Sequence, residues 1–208
     1  MSAVAALILM LVAVVATCAV WRWASLPCPW WMVPLLENPY FQLVAGAELL
    51  MDRAGIGAGM RVLDAGCGPG RLTIPIAGRV GEAGRVVAID RQPRMLRRLQ
   101  TRIAGRGLAN VEVILGKLGD GLLPAEAFDV ALLVTVLGEI PDKAAALVEI
   151  RSALRDGGVL SVTEVLPDPH YLSLARVRAL AAEAGLHERQ VFGGRVGYTV
   201  NLVRQGGG

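Results

Sequence analysis

Val62-Leu63-Asp64-Ala65-Gly66-Cys67-Gly68-Pro69-Gly70 is the stretch on which the reading of this chain turns. An apolar run of strand type ends in an acid, glycines follow at alternate positions, and a helical pattern opens at Arg71. Such a turn bares peptide groups at the start of a helix, where unpaired N–H donors favour a carboxylate or phosphate. Glycine is required because a Cβ would hold a ligand away from the backbone and would penalise positive φ. The stretch therefore reads as a cradle for a small molecule.

A second strand, Val86-Val87-Ala88-Ile89, ends in Asp90, twenty residues beyond Gly70, where an acidic side chain meets ribose hydroxyls. The order is strand, glycine turn, helix, strand, acid. The spacing is G-x-G-x-G rather than G-x-G-x-x-G, with Asp64 two residues before the first glycine. In this form, Asp64-Ala65-Gly66-Cys67-Gly68-Pro69-Gly70 resembles the class I S-adenosylmethionine-dependent methyltransferases, in particular their small-molecule and quinone-type branch. The likeness extends over roughly residues 54–204: Asp90 to Leu96 is similar to the family's second segment, Phe128 to Leu133 to its fourth strand, and Leu154 to Leu160 to its turn into the fifth strand.

The resemblance implies that S-adenosylmethionine is the cofactor. Asp64, Ala65 and the Gly66, Gly68 and Gly70 backbone would hold its methionine end, and Asp90 with Arg91 its ribose, while Lys117, Leu118 and Thr135 complete the expected cofactor set. One departure stands out. Where the family commonly has Gly-Asp-Ala after the third strand, its Asp near the adenine amine, this chain has Gly116-Lys117-Leu118 and no acid before Asp120.

From Met60 onward strands near 61–64, 86–90, 111–115, 130–135 and 159–165 alternate with helical patterns. Leu172 to Ala184 reads as a last helix, and Glu188 to Phe192 with Tyr198 to Arg204 as a closing hairpin. Near-continuous apolar strands alternating with helices imply an α/β domain, a doubly wound, mostly parallel, seven-stranded Rossmann-like sheet covered on both faces. Ligands of such sheets bind at the carboxyl ends of the strands.

The N-terminus differs in composition. Ala3 to Val20 is uncharged, and as a helix it would cover roughly 27 Å, about the thickness of a bilayer's hydrocarbon core. Trp21, Trp23, Trp30, Trp31 and Arg22 follow it. A signal peptide would want a basic leading region, and an in-plane helix a polar face; neither is present, although a buried core helix stays open. The expected organisation is a transmembrane anchor at 1–24, an interfacial linker and lid helix at 25–54, and the cofactor-binding domain at 55–205. By the positive-inside rule a single-pass membrane protein of this kind would face its domain to the cytoplasm. The 208 residues leave room for one such domain, and the hydrophobic fraction of 54% is high because of an excess concentrated in this segment.

The net charge of +3 comes without a basic run, so nucleic acid is not an expected partner. Cys18, Cys28 and Cys67 have no metal-ligand spacing, and no metal is expected. The oligomeric state stays open.

Methyl transfer from a sulfonium needs alignment and an unprotonated acceptor more than it needs a covalent intermediate. Glu139, after the fourth strand, and His170 with Tyr171, after the fifth, are the candidate catalytic residues; each also fits a bracing or turn role. Tyr40 on the lid helix, Glu164 at a strand end, and Tyr198 and Asn201 on the last strand are candidates for the acceptor pocket. The expected activity is methylation of a lipophilic or lipid acceptor at the bilayer, with a slight preference for a phospholipid amine, whose cationic head would suit Glu139 and aromatic rings. A quinone ring, a lipophilic thiol, or a catalytically silent cofactor-binding module that recruits partners are the alternatives.

Overall fold

The computed structural model describes residues 39–205, together with Ala5 and Met10. Its centre is a seven-stranded sheet in the order β3-β2-β1-β4-β5-β7-β6. The strands are β1 (Arg61–Ala65), β2 (Arg85–Asp90), β3 (Val111–Leu115), β4 (Phe128–Val134), β5 (Leu154–Val165), β6 (Leu186–Gly193) and β7 (Gly197–Arg204). Strands β1 to β5 pair in parallel, and β7 inserts antiparallel between β5 and β6. Because β1 lies between β2 and β4, the chain winds outward from it in both directions, and the crevice of the sheet opens at its carboxyl end. Register brings Ala65 beside Ile89 on one side and Leu133 on the other, so Asp64, Asp90 and the residues after Val134 come out at one edge.

Helices α1 (Pro39–Ala45), α2 (Ala47–Ala54), α3 (Thr73–Val80), α4 (Pro93–Ala104), α5 (Lys143–Ala153) and α6 (Leu174–Glu183) cover both faces. Alternation along the strands decides the side. Val62 packs with Leu50, Met51 and Ile76 beneath α2 and α3, whereas Leu63 packs with Leu147, Ile150 and Leu180 beneath α5 and α6. Each such aliphatic side chain, fully removed from water, contributes about 1.5–3 kcal/mol, which is why central strands without a polar face are stable here.

The lid region is two helices rather than one. Gly46, with φ −63° and ψ 150°, breaks the expected helix between α1 and α2, and a Cβ there would sit 2.3 Å from the Gln42 carbonyl oxygen. The last helix starts two residues later than its pattern predicts, since the Leu172 N–H turns to Glu164 Oε2 at 3.1 Å and Ser173 caps the first turn by accepting from Arg176 N–H at 3.3 Å. Strand β5 begins earlier than expected, its Leu154 pairing with Phe128 across an irregular register step.

The expected transmembrane element requires correction. Among the described residues no helix is long and apolar enough to cross a membrane. The longest of them, α4, has 12 residues and four arginines; it would cover about 18 Å against about 30 Å of hydrocarbon. The single-pass membrane localisation with a cytoplasm-facing domain is corrected with it. Apart from Ala5 and Met10, the run Ala3 to Val20 and the tryptophan-rich flank lie outside the described residues.

Candidate cofactor and acceptor site

The turn after β1 is built almost wholly from backbone hydrogen bonds. The Gly66 and Cys67 N–H groups both donate to the Ile89 carbonyl, at 2.8 and 3.1 Å. The Gly68 N–H donates to Asp90 Oδ2 at 2.9 Å, and the Gln92 N–H to Asp90 Oδ1 at 2.8 Å. Asp90 thus fastens the glycine turn to the start of α4 while its outer lone pairs stay available to hydroxyl donors. Gly66 and Gly68 have φ of 76° and 53°. Their surroundings differ: a Cβ on Gly66 would lie 2.5 Å from Val136 Cγ2, whereas one on Gly68 would meet nothing within 4 Å. The first glycine lets two loops close on each other; the second leaves open backbone toward the cavity.

Asp64 sits at the bottom, 3% exposed, and its Oδ2 accepts the Thr73 hydroxyl at 2.6 Å. Burial pushes its carboxyl up to about 6, opposed by the Thr73 hydrogen bond and by Arg71. A buried carboxylate of this kind is best relieved by a cationic ligand group. Burial raises Asp90 too, against the two amide donors that favour its charged form. The Cys67 thiol, buried and beside both acids, is also pushed up, which makes it a packing group and not a nucleophile.

These groups open into a cavity of about 390 Å³ between the strand ends and α1. The glycine turn, Asp64 and Asp90 line it, and the segment Gly116 to Asp120, which follows β3 beside Asp90, continues the lining. Phe41, Leu72, Val134, Val136, Ile140 and Pro141 give the cavity an apolar part, and Thr135, Glu139 and Asp142 line it beside them. Thr135 has a φ of 55°, a backbone conformation that β-branched residues seldom adopt; its N–H donates to the Thr163 carbonyl at 2.8 Å. Arg71 also lines the cavity and donates from Nη1 to the Ala45 carbonyl at 2.6 Å, tying the end of α1 to the residue after the glycine turn.

Of the residues expected from sequence, Asp64, Gly66, Gly68, Asp90, Arg91, Lys117, Leu118, Thr135 and Glu139 line this cavity. Ala65 and Gly70 shape it from behind: Ala65 is buried in the core, and a Cβ on Gly70 would strike Leu99 Cδ1 at 2.4 Å. The others lie elsewhere. Glu164 and Tyr198 are register partners on the face of the sheet that α6 covers, and the Tyr198 hydroxyl donates to the Leu172 carbonyl at 2.7 Å. The Tyr171 ring meets that of Tyr198 edge to face, 6.0 Å between centroids. His170 is 4% exposed, its N–H bound to Asp168 Oδ1 at 2.7 Å and its backbone pressed against Gly138. Asn201 donates to the Arg53 carbonyl at 2.6 Å beneath α2, and Tyr40 reaches the Leu166 carbonyl at 2.8 Å on the outside of α1. His170, Tyr171, Glu164, Tyr198, Asn201 and Tyr40 are thus not among the residues that line this cavity. Sequence reasoning missed Phe41, Arg71 and Val136. Phe41 is the sequence neighbour of Tyr40, and only the phase of α1 separates the two.

A family model described as "Methyltransferase domain" matches residues 56–191. Nocamycin O-methyltransferase of Saccharothrix syringae is 37% identical over 123 residues, 59% of this chain and 44% of that protein. Demethylmenaquinone methyltransferase of Geobacillus stearothermophilus is 31% identical over 110 residues, 53% of this chain and 47% of that protein. The chain thus spans about half the length of the curated relatives it matches. Among solved structures, a SAM-dependent methyltransferase from Aquifex aeolicus superposes with a TM-score of 0.78 over 86% of this chain and all of that one, at 24% identity, which speaks to the fold.

Proposed function

Because this chain belongs to the methyltransferase family whose model spans most of its sheet, and its cofactor is S-adenosylmethionine, we propose that it methylates a lipophilic small molecule of quinone or hydroxylated aromatic type. The observation that carries this reading is the apolar wall. Phe41, Leu72, Val134, Val136, Ile140 and Pro141 face the cofactor end of the cavity and offer a flat, hydrophobic acceptor more than they offer a charged one. Demethylmenaquinone methyltransferase, by its name, acts on a quinone, and nocamycin O-methyltransferase, by its name, on an oxygen of nocamycin.

The residues present fit the cofactor. Asp64, whose buried charge is only partly offset by Arg71, would take the methionine ammonium; the Gly68 backbone leaves room for the chain beside it; Asp90 would accept ribose hydroxyls. Bound there, S-adenosylmethionine supplies an electrophilic methyl group for in-line displacement.

What the protein adds is position and protonation. Arg71, through the Ala45 carbonyl, holds α1 so that Phe41 closes the cavity against water. Thr135 and Glu139 stand at the end of β4 and just beyond it, on the acceptor side, where Glu139 can accept a proton from a ring hydroxyl or an acidic ring carbon. The phospholipid amine preferred on sequence grounds gives way here, since Phe41 is the one aromatic ring among the described lining residues and a cationic head is best held by several.

The test is an acceptor panel read by mass spectrometry: hydroxylated naphthoquinones and polycyclic phenols, a phosphatidylethanolamine, and a long-chain thiol. A gain of one methyl on the ring compounds is the expected result. Methylation of the phospholipid or thiol alone would replace this acceptor assignment.

A further inference from the structure

The part of the cavity wall that follows β3, two strands from Asp64, is a turn with an unusual support. After β3 the Gly116 N–H donates to the Asp90 carbonyl at 3.1 Å, and the chain then folds back, Asp120 N–H reaching the Lys117 carbonyl at 3.4 Å. Gly119 and Gly121, on either side of Asp120, have φ of 98° and 74°. Both are backbone conformations that side-chain-bearing residues rarely adopt. A Cβ on Gly119 would lie 3.2 Å from Ala145 Cβ and 3.3 Å from the Ala146 nitrogen, so the turn rests directly on the first half of α5. From that helix Glu149 reaches up and accepts two N–H donors of the turn, Gly119 at Oε2 and Leu123 at Oε1, the latter at 3.0 Å.

We infer that Glu149 is a positioning residue for recognition of the cofactor's base: by pinning both ends of the 119–123 turn to α5, it holds the Asp120 carboxylate at the cavity wall, where it accepts the exocyclic amine of adenine. The inference rests on the donor placement proposed above. With the ammonium at Asp64 and the ribose at Asp90, the third part of an extended ligand lies against Gly116 to Asp120. Two other acids line the cavity and are otherwise placed: Asp142 accepts the Ala145 N–H at 2.9 Å as the cap of α5, and Glu139 is on the acceptor side. Asp120 is the acid that remains. A carboxylate accepts from the amine of adenine but faces the carbonyl oxygen of hypoxanthine without a shared hydrogen.

The experiment is calorimetric titration of the full chain with S-adenosylhomocysteine and with its hypoxanthine counterpart. The unaltered chain should prefer the adenine compound by about tenfold, the worth of one charged hydrogen bond. Asp120→Ala, on an exposed turn, should abolish that preference while leaving the hypoxanthine compound's affinity unchanged. Glu149→Ala should reproduce the same signature, and the double variant should add nothing further. Circular dichroism of each variant verifies the fold. Equal losses for both ligands in Glu149→Ala, or an unchanged preference, would overturn the positioning role. Failure of the unaltered chain to bind either compound would overturn the donor placement and this inference with it.

Discussion

The Thr73 hydroxyl donates to Asp64 Oδ2 at 2.6 Å across the base of the cavity, where Asp64 is 3% exposed. The pair explains how an acid is kept ready for a cation in a place that penalises its charge. Moving a carboxyl from 3.8 to about 6 costs the ionised fold roughly 3 kcal/mol. The sign follows from linkage: the folded pKa lies above the unfolded one, so the contribution is fully present below pH 3.8, is lost as pH rises, and is gone above about 6. Asp64→Asn keeps the Thr73 donor satisfied and removes the charge. In chemical denaturation it should stabilise the ligand-free chain by up to about 3 kcal/mol at neutral pH and much less near pH 4. Cofactor affinity should fall about a hundredfold in the same variant, and in the unaltered chain it should decline as pH drops through about 6.

Two glycines of one turn should respond differently to the same methyl group. Gly66→Ala meets Val136 at 2.5 Å with φ at 76°, so it should lower stability by roughly 3 kcal/mol and abolish binding. Gly68→Ala finds open space and bears only the conformational penalty, about 1 kcal/mol. Its methyl would occupy the ligand's approach, so affinity should drop tenfold or more in a nearly normal fold. Thermal melts and titrations on both variants compare the two effects directly.

Asp90 fastens the turn through two N–H donors, and under the proposed donor placement it also takes the ribose. In Asp90→Ala the Gly68 and Gln92 N–H groups lose their acceptors, so both stability and binding should fall, by about 2 kcal/mol and at least tenfold. Asp90→Asn keeps one oxygen and should recover part of each. A variant that binds S-adenosylhomocysteine normally would remove Asp90 from the ribose.

His170 and Tyr198 lie outside the residues that line the cavity, and the proposal gives them no part in the chemistry. Tyr198→Phe gives up the 2.7 Å bond to Leu172 and should cost about 1 kcal/mol in stability with kcat little changed. His170→Gln should likewise preserve turnover and its pH profile. A loss of kcat at unchanged stability in either variant would return that residue to the chemistry.

The glycine turn and Asp90 were legible because their chemistry is local: a strand end, a positive φ and a fixed spacing to the next strand end are written in consecutive residues. Gly116 to Asp120 was legible as a departure, but its support by Glu149 was not, since that contact spans 26–30 residues and depends on how α5 lies on the sheet. Glu164, Tyr198 and Asn201 were placed in the pocket because strand position predicts depth but not which face a residue takes. In the fold, Glu164 and Tyr198 point under α6 and Asn201 under α2. Tyr40 and Phe41 differ for a related reason. Helical spacing identifies a stripe, and only packing decides that the Tyr40 hydroxyl turns out to Leu166 while its neighbour turns in. The apolar N-terminal run was read from length and composition alone, and the described helices are too short or too charged to span a bilayer.

Single-turnover transfer of labelled methyl from S-adenosylmethionine to a hydroxylated naphthoquinone, partitioned between water and organic solvent, tests the central claim most directly when the unaltered chain is run beside Asp64→Asn. The expected result is label in the organic phase with the unaltered chain and, at a cofactor concentration near its own dissociation constant, far less with the variant, the ring compound having gained one methyl. Equal transfer by both chains would contradict the role given to Asp64 and its cavity, and label confined to water-soluble products would contradict the lipophilic acceptor.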